Sequence, residues 1–178
     1  MESHHRLPLK TLSGLLIFVL AAVLFSCNDK SKLVEVNPEF SKYIDAYTSG
    51  VVSKKTTLRI QLAADAGVTH TLNETIKEKL FDLSPAVEGK AYWIDARTIE
   101  FRPDEDLQPD ALYEISFALS KVIDVPSAFK TFGFNIQTLK PSFEVEQNGL
   151  RSNGKELMSL GGTIVTADVE ESAKIEKI

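Results

Sequence analysis

Residues 107–119 read Leu107-Gln108-Pro109-Asp110-Ala111-Leu112-Tyr113-Glu114-Ile115-Ser116-Phe117-Ala118-Leu119. From Tyr113 onward the apolar residues Tyr113, Ile115, Phe117 and Leu119 alternate with Glu114, Ser116 and Ala118. Successive side chains of a strand point to opposite faces, so this period of two predicts a strand with one face buried and the other in water. Aromatic and β-branched residues at the inward positions suit such a half-buried surface.

The same period recurs on both sides of this stretch. Leu58, Ile60 and Leu62 alternate with Thr57, Arg59 and Gln61; Ile99 and Phe101 with Thr98, Glu100 and Arg102; Phe132, Phe134 and Ile136 with Gly133, Asn135 and Gln137. Ala91 to Ile94, a short Asp95-Ala96-Arg97 loop and Thr98 to Phe101 predict a hairpin. Clean alternation of this kind belongs to antiparallel sheets, and the expected fold is a mostly β, antiparallel Ig-like sandwich. Leu107-x-Pro109-x-x-x-Tyr113 resembles the tyrosine corner of Greek-key sandwiches, in which the phenol hydroxyl bonds to backbone a few residues upstream. Leu107, Pro109 and Tyr113 are therefore expected to be structural. Leu139-Lys140-Pro141 reads as a linker, and Phe143/Val145 and Leu157 to Val165 as new strands. Residues 141–178 are too few for a second sandwich of roughly 100 residues, so they are expected to start a second, incomplete β module, the alternative being strands added to the first sandwich.

Helical signals are few. Asn37-Pro38 has the form of a cap with proline at the first helical position. Phe40, Tyr43, Ile44 and Tyr47 follow at helical spacing, and Gly50 would close this short N-terminal helix. Asn73 to Lys79 suggests one further turn capped by Asn73.

The longest apolar run lies elsewhere, from Leu12 to Phe25, behind Arg6 and Lys10. A positive leader, an apolar stretch and a small residue at the cut are the layout of a secretory signal peptide. As a helix the run would span about 21 Å against a hydrocarbon core of roughly 30 Å, short for a permanent crossing. Leu24-Phe25-Ser26-Cys27 resembles the lipobox of bacterial lipoproteins, with Phe25 departing from the usual small residue. That resemblance implies a diacylglycerol on the Cys27 thiol, cleavage before it and acylation of the new amino group. Each buried CH₂ contributes ~0.8 kcal/mol, so several acyl chains make a stable anchor. The expected address is the bacterial cell envelope, on the periplasmic side of the membrane or the cell surface.

Composition narrows the chemistry. The 178 residues carry a formal charge of −5 and a single cysteine. An acidic chain argues against nucleic acid, whose phosphates need clustered Lys and Arg. After removal of residues 1–26, His70 is the only histidine, and neither a Gly-x-Ser-x-Gly elbow nor a free thiol remains, so no catalytic residue is assigned. Zinc would need two to four Cys or His ligands. Asp104-Glu105-Asp106 with Asp110 departs from the calcium-loop pattern, with Pro109 in the glycine position and Ile115 in that of the bidentate glutamate. No metal and no cofactor is expected. Lys54-Lys55 and Lys77/Lys79 read as solvated faces. Tyr92 and Trp93, adjacent on a strand, should point to opposite faces, which weakens a sugar-stacking platform and places one of them in the core.

Asn37-Pro38-Glu39-Phe40-Ser41-Lys42-Tyr43-Ile44, Thr48-Ser49-Gly50-Val51-Val52-Ser53, and Gly89-Lys90-Ala91-Tyr92-Trp93-Ile94-Asp95 leading into Arg97-Thr98-Ile99-Glu100-Phe101-Arg102-Pro103 resemble the start of bacterial alpha-2-macroglobulin family lipoproteins. The segment from Phe101 to Thr138 is also similar to a broader bacterial Ig-like domain. The first resemblance implies a macroglobulin-like sandwich at the anchored end of a protease-trapping envelope protein. Its expected partners are the membrane through the lipid on Cys27, downstream macroglobulin-like domains of the same longer protein, and target proteases. Family members that trap covalently use a Cys–Gln thioester, and no Cys-x-x-Gln stands here, so this segment is expected to be a non-enzymatic, non-covalent anchoring part. The domains expected are a signal peptide at 1–26, a tether at 27–36, the sandwich at 37–140 and the second module from 141 to 178. An alternative is an Ig-like surface lipoprotein module that binds glycan or another envelope protein.

Overall fold

A computed structural model describes residues 34–67 and 71–177. The expected signal peptide and tether up to residue 33, Cys27 and His70 lie outside the described residues. The elements in chain order are a 3₁₀ turn (Pro38–Lys42), β1 (Ile44–Tyr47), β2 (Gly50–Val52), β3 (Leu58–Leu62), β4 (Phe81–Ser84), β5 (Gly89–Trp93), β6 (Thr98–Pro103), β7 (Leu112–Phe117), 3₁₀ turns at Leu119–Lys121 and Ser127–Phe129, β8 (Phe132–Thr138), β9 (Phe143–Ser152), β10 (Met158–Thr166) and a one-turn helix α1 (Ser172–Ile175).

The first eight strands form a mostly β sandwich of two four-stranded sheets, ordered β1-β3-β6-β5 and β2-β8-β7-β4. Pairing is antiparallel except between β2 and β8, which run parallel from Gly50↔Ile136 to Val52↔Thr138. The alternation read from the sequence sets the core. Leu58, Ile60, Ile99, Phe101 and Trp93 from one sheet meet Ile115, Phe117, Phe132, Phe134 and Ile136 from the other, all buried. Rings interlock across the two layers: Tyr47 meets Phe132 and Phe134 at 5.0 and 5.2 Å, and Phe81 meets Phe101 at 5.3 Å. At these centroid separations aromatic pairs add about 0.5–1.5 kcal/mol beyond the area they bury. Gly89 is required by closeness: a Cβ there would lie 2.5 Å from the Phe101 ring and from the Arg102 carbonyl oxygen.

Two helical expectations are corrected. The N-terminal helix is only the 3₁₀ turn Pro38–Lys42, capped by Asn37, whose side chain accepts from the Glu39 N–H. Ile44 and Tyr47 belong instead to β1, which pairs with β3 through a register shift between Ile44 and Ala46. A strand with one irregular residue can mimic helical spacing, and the Tyr, Ile and Thr content of 43–48 favours the strand. Asn73 to Lys79 forms no helical turn. Asn73 takes a left-handed φ of 59°, and the chain then runs beside β5, with Asn73 N–H donating to Trp93 O and Ile76 N–H to Ala91 O. β4 was not legible as a strand, because Phe81-Asp82-Leu83-Ser84 offers only two inward residues.

Candidate functional site

The β6–β7 loop and the strand it feeds are bolted together by three segments. Tyr113 is buried, and its hydroxyl accepts the Gln108 N–H at 2.9 Å. Leu107 is buried and its N–H donates to Lys54 O at 2.9 Å. Pro109 is exposed, and Asp110 after it takes a left-handed φ of 54°. Thr138, which carried no signal in the sequence beyond ending a strand, is fully buried; its hydroxyl donates to Gln108 O at 2.6 Å and accepts the Ala111 N–H at 2.9 Å. A buried hydroxyl with both roles used avoids the cost of an unsatisfied polar group, about 1–3 kcal/mol.

Lys54 joins this loop to the last part of the chain, and here the expectation of a solvated lysine pair is corrected. Lys55 is exposed and meets Asp106 at 3.1 Å, but Lys54 is buried. Its Nζ donates to Glu170 Oε1 at 2.5 Å, and its backbone N–H donates to Asp168 Oδ2 at 2.8 Å. Asp168 Oδ1 also accepts from Ser53 Oγ at 2.6 Å and from the Val169 N–H at 2.7 Å. The hydrogen bond that Lys54 donates to Glu170 raises the Lys54 pKa, against the opposing effect of burial. Burial would push the Asp168 carboxyl up, but the bonds from Ser53, Lys54 and Val169 outweigh it and hold the pKa below the usual carboxylate value. Beside this clamp lies a cleft of about 620 Å³ walled by Lys54, Pro109, Leu139, Phe143, Glu170 and Ile175.

Above the clamp stand β9 and β10, which among the described residues pair only with each other. Phe143 stands opposite Thr166, Val145 opposite Ile164, Leu150 opposite Leu160 and Ser152 opposite Met158. Cross-strand partners share a face. A register shift between Leu160 and Gly162, with Gly149 at a φ of 84°, keeps Leu150 on the side of Val145 despite their odd spacing. One face of the hairpin therefore carries Phe143, Val145, Leu150, Met158, Leu160 and Ile164 and no charge. The reverse carries Glu144, Glu146, Arg151, Ser159 and Thr163, with Val165 as its one large apolar residue. The apolar face is open: Leu150 is 66% exposed, Met158 65% and Leu160 60%. A row of large apolar side chains of this extent marks an interaction surface.

Other candidates read from the sequence separate. Trp93 is buried in the core, whereas Tyr92 is half-buried on the outer face under Arg102. Asp104, Glu105 and Asp106 stay in an exposed loop, and among the described residues no group of three His, Cys, Asp or Glu side chains is arranged to hold a metal ion.

No family model and no curated protein matches the chain. Among solved structures it is similar to L,D-transpeptidase 3 from Mycobacterium tuberculosis, at 14% identity over 60% of this chain and 40% of that one, with a TM-score of 0.39. A second L,D-transpeptidase, from Mycobacterium tuberculosis H37Rv, matches at 14% identity over 74% of this chain and 51% of its own, with a TM-score of 0.41. An L,D-transpeptidase from Mycobacterium smegmatis matches at 17% identity, over 65% and 42%, with a TM-score of 0.36. The chain spans about half or less of the length of these proteins. These findings correct the expected kinship with alpha-2-macroglobulin family lipoproteins, since the matches are L,D-transpeptidases. Protease trapping and the anchoring role derived from that kinship fall with it, as does the expectation that the chain is not an enzyme, because the chains matched are named as enzymes. The segments that suggested the kinship are strand and turn patterns, which unrelated β-sandwiches share.

Proposed function

We propose that this chain is a lipid-anchored envelope protein in which the 37–140 sandwich is a rigid base and residues 141–178 begin a second β module. In this reading the apolar face of the β9–β10 hairpin is the inner face of that module and is covered by another β-sheet. The observation that carries it is the row Phe143, Val145, Leu150, Met158, Leu160 and Ile164, uncharged and uncovered on one side of a two-stranded sheet. An isolated two-stranded hairpin is at best marginally stable in water, and packing on its apolar face is what stabilises it. Sheets pack face to face through such uncharged, alternating faces. The Lys54–Glu170 and Ser53–Asp168 bonds would hold the second module at a set distance from the base, and the lipid on Cys27 would hold both at the membrane.

Site-specific photocrosslinking in the producing cell tests this reading. A crosslinking side chain at Leu160 is expected to trap a strand-rich protein segment, and the same group at Ser159, on the reverse face, is expected to trap nothing. Equal yields at both positions reject the face as an interface. Lipid labelling is expected in the wild type and not in Cys27→Ser; label retained in that variant rejects the anchor.

A further inference from the structure

The outer face of the β1-β3-β6-β5 sheet carries a polar cluster far from the hairpin in sequence. Arg59 on β3 and Tyr92 on β5 both stand opposite Glu100 on β6, and Lys90 stands opposite Arg102, so all five share one face. Glu100 is buried there with only 4% of its side chain exposed. Its two oxygens are divided: Oε1 accepts from Arg102 Nε at 2.6 Å, and Oε2 accepts from Arg59 Nε at 2.5 Å and from Thr57 Oγ1 at 3.2 Å. Burial would raise its pKa, but the two arginines outweigh it and keep the carboxylate ionised.

A guanidinium has five N–H donors in a planar fork. Each arginine donates from Nε to Glu100, one of its five N–H donors. Both side chains remain open to solvent, Arg59 by 62% and Arg102 by 45%. Their planes are nevertheless held in place, at one edge by the buried carboxylate and, for Arg102, by the Tyr92 ring 4.5 Å below. Arg59, Arg102 and Lys90 stand around one carboxylate, three cations to one anion, in a chain of formal charge −5. Forks fixed in advance lose little side-chain entropy when they bind, and carboxylate and phosphate groups match their geometry.

We propose that Arg59 and Arg102, oriented by Glu100, form a receptor for an oxyanion, carboxylate or phosphate, with Lys90 adding charge at its rim. Glu100 is a positioning residue here and touches no ligand.

Titration of the folded, full chain with inorganic phosphate and, separately, with acetate, at constant ionic strength, tests the proposal. The readout is the guanidinium N–H resonances in ¹⁵N NMR, with Arg151 on the hairpin as an internal reference. The expected result is a saturable shift of Arg59 and Arg102 with one or both anions and none of Arg151; the anion that binds tighter identifies the ligand group. R59K keeps the charge and loses the fork, and is expected to weaken binding about tenfold. K90Q, which removes no bond to Glu100, is expected to weaken it by a smaller factor with the denaturation midpoint unchanged. Shifts that do not saturate, or that are equal at Arg151, overturn the site, as does full affinity in R59K.

Discussion

The sandwich and the hairpin are made from the same sequence pattern and end in opposite states. In β7 the alternating residues Tyr113, Ile115 and Phe117 are buried against a second sheet. In β9 and β10 the alternating residues Val145, Leu160 and Ile164 face open solvent. A period of two therefore tells which face of a strand is apolar and leaves open whether anything covers it. The sandwich supplies its own cover from β3, β5 and β6. For the hairpin, the cover is the object of the proposal above.

Substitutions on the two sides put this contrast at risk. Phe134→Ala, at a fully buried site of β8, is expected to cost about 3–5 kcal/mol in urea denaturation; a loss below 1 kcal/mol, on the scale of an exposed site, would erase the distinction. Asp168→Ala removes the bonds from Ser53, Lys54 and Val169, and the hairpin is expected to lose about 1–3 kcal/mol of local protection. Hydrogen exchange should show that loss in β9 and β10 and not in β7 or β8. Equal loss in both regions means that they open as one unit.

The same clamp has a pH dependence that follows from its ionisation. Asp168 has a folded pKa below its usual value, so its contribution is complete above the ordinary carboxylate pKa and disappears as pH falls through the depressed value. Lys54 has a raised pKa, so its contribution is complete below the ordinary lysine value and disappears as pH rises through the raised one. Hairpin protection is expected to be flat through neutral pH and to fall at both extremes, the acid loss being absent in Asp168→Ala.

Tyr113→Phe deletes the acceptor for the Gln108 N–H and is expected to cost about 1 kcal/mol, read as a lower midpoint with an unchanged slope. An unchanged midpoint would remove Tyr113 from the work of holding the β6–β7 loop. Smallest of all, Leu160→Ser on the open hairpin face should change the stability of the chain by no more than about 0.5 kcal/mol. A loss like that of Phe134→Ala would mean that this face is already covered.

Legibility followed the range of the interactions. The strands β3 and β5 to β8, the short loop at Asp95 and most inward residues could be read because alternation and turn chemistry are local, although which of Tyr92 and Trp93 faces the core stayed open and Leu119 falls in a 3₁₀ turn past the end of β7. Asp95 accepts the Arg97 N–H within its own loop, for example. Ile44 and Tyr47 misled because a register shift in a short strand gives the same spacing as a helix turn. Lys54, Asp168 and Glu170 were not legible as a unit: more than a hundred residues separate Lys54 from its two acidic partners, and each alone has the appearance of a solvated surface charge. Arg59, Glu100 and Arg102 were legible as the outer positions of two strands, but their convergence depends on β3 and β6 being neighbours.

By itself the sequence determined that the chain is mostly β, which side of most strands is apolar, and that the segment before Cys27 has the form of an export signal. Tertiary structure alone decided which apolar faces meet, which lysine is buried, and which arginines share one carboxylate. The physical reason is that backbone geometry converts residue order into faces within a few residues, whereas burial and ion pairing depend on which distant faces the chain brings within contact.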